Sequence, residues 1–143
     1  MIDANKLKGS TGALGLKEEP AGKIRVFAMV DIFTQWIFNP LHKRIQTILR
    51  HIRQDGTFDQ SAPVHYMFSK MAERGLREVF SYDLSAATDR LPIVIQEHLL
   101  ALFIGKELAH MWKSLLIFRG YHLRKLRTTL YYSTGQPMGA LSS

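Results

Sequence analysis

Cysteine is absent from the 143 residues. That excludes a disulfide framework and any thiolate metal site. Long apolar runs are missing as well. The longest, Leu99 to Ile104, sits between Glu97 and Lys106, well short of the roughly 20 residues a membrane-spanning helix needs, so no membrane partner is expected. The first twenty residues have no signal-peptide core, hold Asp3, Glu18 and Glu19, and contain no arginine. They read neither as a secretory signal nor as a mitochondrial import sequence. The six histidines are scattered, with no His-x-x-x-His pair, and read as surface or core residues. Acidic residues are in deficit: 12 Asp plus Glu against 19 Lys plus Arg, a net charge of +7. That balance suits a polyanionic partner, because phosphate contacts drive non-specific nucleic-acid affinity. An undistinguished basic surface is the alternative.

What is present suits one folded domain with a modest core: 46% hydrophobic and 22% charged residues. Residues 1–22 carry Gly9, Gly12, Gly15, Pro20 and Gly22 and read as a flexible lead-in or a set of turns. Residues 23–143 read as the folded region. Lys23 to Ala28 alternates charged and apolar residues, the period of a half-buried strand. Phe33, Trp36, Ile37, Leu41, Ile45, Ile48, Leu49 and Ile52 recur at helical spacing and predict one buried stripe. Pro40 either kinks that helix or opens a second one. Gln54–Gln60 reads as a loop around Asp55-Gly56, followed by a helix from about Ser61, as N-cap, to Arg74, with Gly75 as the stop.

Glu78 to Asp83 is strand-like. Pro92 opens a helix to about Ile104, and Gly105 ends it. Lys106 to Phe118 predicts another helix with Leu108, Met111, Trp112, Leu115 and Leu116 on one side. Tyr121 to Ser133 reads as extended or as a hairpin.

Two strings stand out. The first is Ser81-Tyr82-Asp83-Leu84-Ser85-Ala86-Ala87-Thr88-Asp89-Arg90-Leu91-Pro92. An aspartate at a strand end is held rigidly and offers the hard oxygen ligands that Mg²⁺ prefers. A bare Asp-x5-Asp is common, and Asp89 serves equally well as an N-cap ahead of Pro92. The second is Gly135-Gln136-Pro137-Met138-Gly139-Ala140-Leu141-Ser142-Ser143. Two glycines around a proline make a stiff loop whose backbone N–H groups can meet a phosphate or sugar; an ordinary Gly-Pro turn is the alternative.

In this order and at this distance the two strings resemble motifs A and B of an RNA-dependent RNA polymerase, closest in wording to the mitoviruses. Pro20 to Val26 resembles the basic motif F of the fingers. Val30 to Trp36, Pro40-Leu41-His42 and Gln54 to Gln60 also read like mitovirus fingers. The resemblance covers about residues 17–143. It implies an α+β fold: partial fingers and the first half of a palm from a right-hand polymerase. It implies template-directed RNA synthesis in the ancestor, with Mg²⁺ or Mn²⁺ as cofactor and with RNA and nucleoside triphosphates as partners.

Carried over by position, Asp83 is the catalytic, metal-binding aspartate. Lys23, Arg25, Asp89, Gly135, Gln136, Gly139, Ser142 and Ser143 fall at nucleotide-binding positions. Apart from the resemblance, Arg119, Arg124, Lys125 and Arg127 form a basic cluster able to lie along RNA, or a plain solvated face. Motif C and its paired aspartates would stand after Ser143. The expectation is therefore a polymerase fragment inactive alone, unless another chain supplies motif C. The competing expectations are a basic RNA-binding module without chemistry and a non-functional relic of a viral gene captured by a mitochondrial genome. Mitochondrial localisation, by synthesis there rather than import, follows from the resemblance.

Overall fold

A computed structural model describes residues 12–141. The architecture is mixed α+β, with a four-stranded sheet and five helices among the described residues. The chain divides into two units: residues 1–37 together with 85–143, and residues 38–84.

The first unit holds the sheet. β1 (Gly12–Glu18) and β2 (Ile24–Met29) form an antiparallel hairpin around a single 3-10 turn at Pro20–Gly22. This corrects the lead-in or set of turns expected over residues 1–22: Gly12–Glu18 is strand, a turn stands only at Pro20–Gly22, and residues 1–11 lie outside the described residues. Glycine content suggested turns, but Gly15 is needed in the strand because the Phe27 ring lies across it. An added Cβ there would stand 2.3 Å from the ring.

β3 (Tyr121–Leu123) joins β1 in parallel, and β4 (Thr128–Leu130) joins β3 antiparallel, giving the order β2-β1-β3-β4. The hairpin expected after Tyr121 is therefore present. A 3-10 turn at Arg124–Leu126 and Arg127 at φ 49° close it.

Helices α3 (Ala87–Arg90), α4 (Ile93–Ile104) and α5 (Lys106–Ile117) belong to the same unit. Pro92 and Gly105 bracket α4 as expected. Asp89 does not cap it. Asp89 lies inside α3, and the first free N–H of α4, that of Ile93, donates to the Thr134 carbonyl at 2.8 Å. Glu97 of α4 ties α5 through Lys113 (2.5 Å) and His110 (3.0 Å). These bonds hold its carboxyl below the usual range, Lys113 contributing most, against the opposing pull of desolvation.

The core of this unit collects Ala28, Ile93, Ala109, Trp112, Leu116, Tyr121 and Leu123. Tyr121 is fully buried and its hydroxyl donates to the Leu116 carbonyl at 2.9 Å. Desolvation in this setting pushes its phenol upward. The α5 face is thus rotated from expectation: Ala109, Trp112 and Leu116 face inward, while Leu108 and Met111 are exposed.

α1 (Ile32–Leu49) runs from the first unit into the second, and Pro40 lies inside it without ending it. The stripe expected to be buried is largely in solvent: Phe33, Trp36, Ile37, Ile48 and Ile52 are exposed, and Thr34 and Phe38 are buried instead. The physical reason for Thr34 is polar: its hydroxyl and backbone are engaged by Asp31 and Arg119, which draw that side of the helix inward.

The second unit carries the rest of α1 and α2 (Ala62–Arg74), which ends at Gly75 as read from the sequence. Ser61 occupies the N-cap position, yet its side chain does not cap the helix. Asp59 does the capping, accepting from the N–H groups of Ser61 (2.9 Å) and Ala62 (3.3 Å) and from the Ser61 hydroxyl (2.6 Å). Arg50 stacks over the Phe58 ring at 3.7 Å. The strand expected over Glu78–Asp83 is absent: residues 76–84 have no regular secondary structure and are exposed. β-branched and aromatic residues favour a strand only where a partner strand exists to pair with.

Candidate functional site

The Gly135–Leu141 loop is built almost wholly from bonds to other segments of its unit. The Gly135 N–H donates to the Asp89 carbonyl and the Gln136 N–H to the Thr88 carbonyl, both at 3.0 Å. Thr88 and Asp89 are one helical turn, and the loop lies directly on it. Gly135 is required by that approach, since a Cβ there would sit 2.3 Å from the Thr88 oxygen. Farther on, the Ala28 N–H of β2 donates to the Met138 carbonyl at 2.7 Å. Gly139 has φ +123°, and a Cβ on it would meet the Ala28 oxygen at 2.2 Å. Both glycines are thus fixed by close backbone contact.

Side chains complete the seating. Gln136 is buried, and its Nε2 donates to Gln96 Oε1 on α4 at 2.9 Å. Its own Oε1 is buried and accepts no hydrogen bond among the described residues. Pro137 is fully buried. The Tyr132 hydroxyl lies against the Asp89 side chain and the Met138 backbone. Burial, then the Asp89 charge, push its phenol up to about 12, against the opposing effect of Met138. Tyr132 also packs edge-on against Tyr121, ring centroids 5.3 Å apart.

The residues singled out in the sequence fall as follows. Thr88-Asp89 of the first string and Gly135-Gln136 of the second are in direct contact. Asp83 belongs to the other unit, at the end of the exposed irregular stretch. Ser142 and Ser143 lie outside the described residues. Lys23 is extended and exposed just ahead of β2. Arg25 is on β2, pairs with Glu19 at 2.8 Å, and stands opposite Lys17 in the strand register.

Arg124, Lys125 and Arg127 are exposed on the β3–β4 turn. Arg124 and Lys125 border a cavity of about 300 Å³ that is also lined by Leu14, Leu16, Glu18, Ile24 and Leu123. Arg119 does not share that exposure, which corrects its grouping with the basic cluster. Its guanidinium is mostly buried and binds Asp31 and Thr34. Among the described residues no group of three His, Asp or Glu side chains is placed to hold a metal ion.

Sequence reasoning missed Asp31, Gln35, Gln96 and Tyr132. Asp31 had a local signal, an aspartate ahead of an amphipathic run. Gln35 lay within the string that resembles mitovirus fingers but had no assigned role, and Gln96 and Tyr132 interact with residues tens of positions away and had no signal.

The model of the mitovirus RNA-dependent RNA polymerase family matches residues 2–143. The RNA-directed RNA polymerase of Cryphonectria parasitica mitovirus 1 is 36% identical over 132 residues, which are 92% of this chain and 16% of the viral protein. An uncharacterised mitochondrial protein of Arabidopsis thaliana is 35% identical over 101 residues, 68% of this chain and 39% of that protein. The chain thus spans about a sixth of the viral relative and well under half of the plant one. No solved structure matches it. With the two motif strings and nearly every residue covered, the chain belongs to the mitovirus RNA-dependent RNA polymerase family.

Proposed function

We propose that this chain is the segment of a mitovirus-type polymerase that joins part of the fingers to the first half of the palm, and that its own contribution is to hold RNA and nucleotide. The observation that carries this reading is the seating of the Gly135–Gln136 backbone on Thr88–Asp89. Two strings 46 positions apart, Asp89 to Gly135, meet as motifs A and B must if both are to address one nucleotide. Lys23, Arg25, Asp89, Gly135, Gln136, Gly139, Ser142 and Ser143 are the proposed nucleotide-facing positions. Arg124, Lys125 and Arg127 are the proposed RNA-backbone contacts, supported by their exposure and by the net +7 charge.

Family membership implies a divalent metal for the ancestral reaction and RNA and nucleoside triphosphates as its partners. The described residues do not supply such a metal site, since Asp83 is an exposed aspartate outside any three-donor group. Asp83 remains the proposed metal ligand. The paired aspartates of motif C would have to come from polypeptide outside the described residues, in the same chain or in another. We therefore infer that these residues do not carry out nucleotidyl transfer by themselves. The similarity to a plant mitochondrial protein supports action in the mitochondrion.

The test has two arms. Incorporation of labelled nucleotide on a primed RNA with Mg²⁺ or Mn²⁺ should stay at background; incorporation that vanishes in Asp83→Ala would refute the inference of inactivity. Retention of single-stranded RNA should be measurable and salt-sensitive. A chain that holds no RNA at low salt would instead be a relic.

A further inference from the structure

Within the Gly135–Leu141 loop, the Ala140 N–H donates to the Pro137 carbonyl at 3.3 Å, and a bridge joins Met138 and Ala140. The bend falls at Gly139, the residue type with the widest choice of backbone conformations. Before the bend, Ala28 holds Met138. After the bend, the Gln35 side chain in the first turns of α1 holds the loop. Its Nε2 donates to the Gly139 carbonyl at 2.9 Å, and its Oε1 accepts from the Leu141 N–H at 2.9 Å. The amide takes the place of a peptide in a neighbouring strand, with donor and acceptor used at once.

We propose that Gln35 is a positioning residue that sets the conformation of the Gly135–Leu141 loop and so the backbone this loop offers to a nucleotide or RNA sugar-phosphate. The functional half of this inference rests on the reading of the loop as RNA-facing; the clamp itself does not. The chemistry is specific to glutamine. Asparagine is one methylene short. Glutamate at neutral pH accepts from Leu141 but has no proton for the Gly139 carbonyl, and it places negative charge against that oxygen. Protonated glutamate regains both functions.

The experiment is residue-resolved amide hydrogen exchange on the full chain, comparing wild type, Gln35→Ala and Gln35→Glu. The reporters are Leu141, whose N–H donates to Gln35, and Ala28, whose N–H donates to Met138 of the same loop. Ile93, bonded to Thr134, reports the surrounding fold. In Gln35→Ala, protection of both Leu141 and Ala28 should fall roughly tenfold, with Ile93 unchanged. In Gln35→Glu, Ala28 protection, read as a ratio to the wild type at the same pH, should match the alanine variant at pH 7 and recover below about pH 4, where a glutamate protonates. Ala28 protection unmoved by Gln35→Ala overturns the proposal. So does equal loss at Ile93, which would make Gln35 a residue of general stability, and so does a Gln35→Glu variant that shows no recovery in acid. RNA retention by the wild type is measured separately. Its absence counts against the RNA-facing reading, whereas the amide pattern decides the role of Gln35.

Discussion

Arg119 donates to the Asp31 carboxylate at 2.5 Å across 88 positions of sequence. Both also engage Thr34: its backbone N–H donates to Asp31 at 3.0 Å, its hydroxyl donates to Asp31 at 2.6 Å, and Arg119 donates to that hydroxyl at 2.8 Å. One carboxylate thus caps α1 and anchors the segment that leads from α5 into β3. Removing it loses a cap and leaves a mostly buried guanidinium without its charge partner. Asp31→Ala should destabilise the chain by about 2–4 kcal/mol in urea unfolding. An effect below about 0.5 kcal/mol would mean the pair adds no more than an exposed ion pair.

The same carboxylate makes stability depend on acid. Burial works to raise its pKa, but the Thr34 and Arg119 bonds outweigh that and bring it from 3.8 down to about 2. The folded state therefore binds this proton less readily than the unfolded state. The contribution of Asp31 is complete above about pH 4 and is lost as pH falls from there through about 2. Denaturant midpoints between pH 5 and 2 should decline in wild type, and the part of that decline due to this residue should be missing in Asp31→Asn.

Gly135→Ala and Gly139→Ala should each destabilise by about 2–3 kcal/mol or more, because the new methyl meets backbone that cannot rotate away. The sharper expectation is local. Gly135→Ala should expose the amides bonded to Thr88 and Asp89, whereas Gly139→Ala should expose Ala28. Exchange measurements showing the reverse pattern would contradict the described seating of the loop.

RNA retention should be electrostatic. On single strands, log affinity should fall linearly with log salt, by about 0.7 for each neutralised phosphate. Arg124→Glu combined with Lys125→Glu should weaken binding and flatten the slope. Arg119→Lys should leave the slope unchanged, because Arg119 faces Asp31 rather than solvent. Binding indifferent to salt would exclude phosphate contacts as its source.

Asp83→Asn should alter stability by less than about 0.5 kcal/mol, since the side chain is exposed in an irregular segment. A large loss in thermal or urea unfolding would reveal a structural duty for Asp83 and weaken its reading as a metal ligand.

Family and local elements were legible from one dimension. Strings of twelve and nine residues point to the family because their order and wording are rare. Pro92 and Gly105 bracket α4, and Gly75 closes α2, because their backbone preferences act within one turn. Burial was not legible in the same way. Helical spacing places Phe33, Trp36 and Ile37 on a common side of α1, but which side turns inward depends on Asp31 and Arg119 converging on Thr34. Likewise Ala109 is buried and Leu108 exposed, a choice that spacing along α5 did not make.

β1 was hidden behind its glycines, one of which is required by a ring on the next strand. Glu78–Asp83 had strand propensity and no strand to pair with. The loop at Gly135 was recognisable as a string, whereas its conformation depends on Thr88, Ala28, Gln35 and Gln96. Backbone preferences reach only a few residues along the chain. Hydrogen bonds that close over roughly 40 to 110 positions exist only once the tertiary fold has brought their partners together.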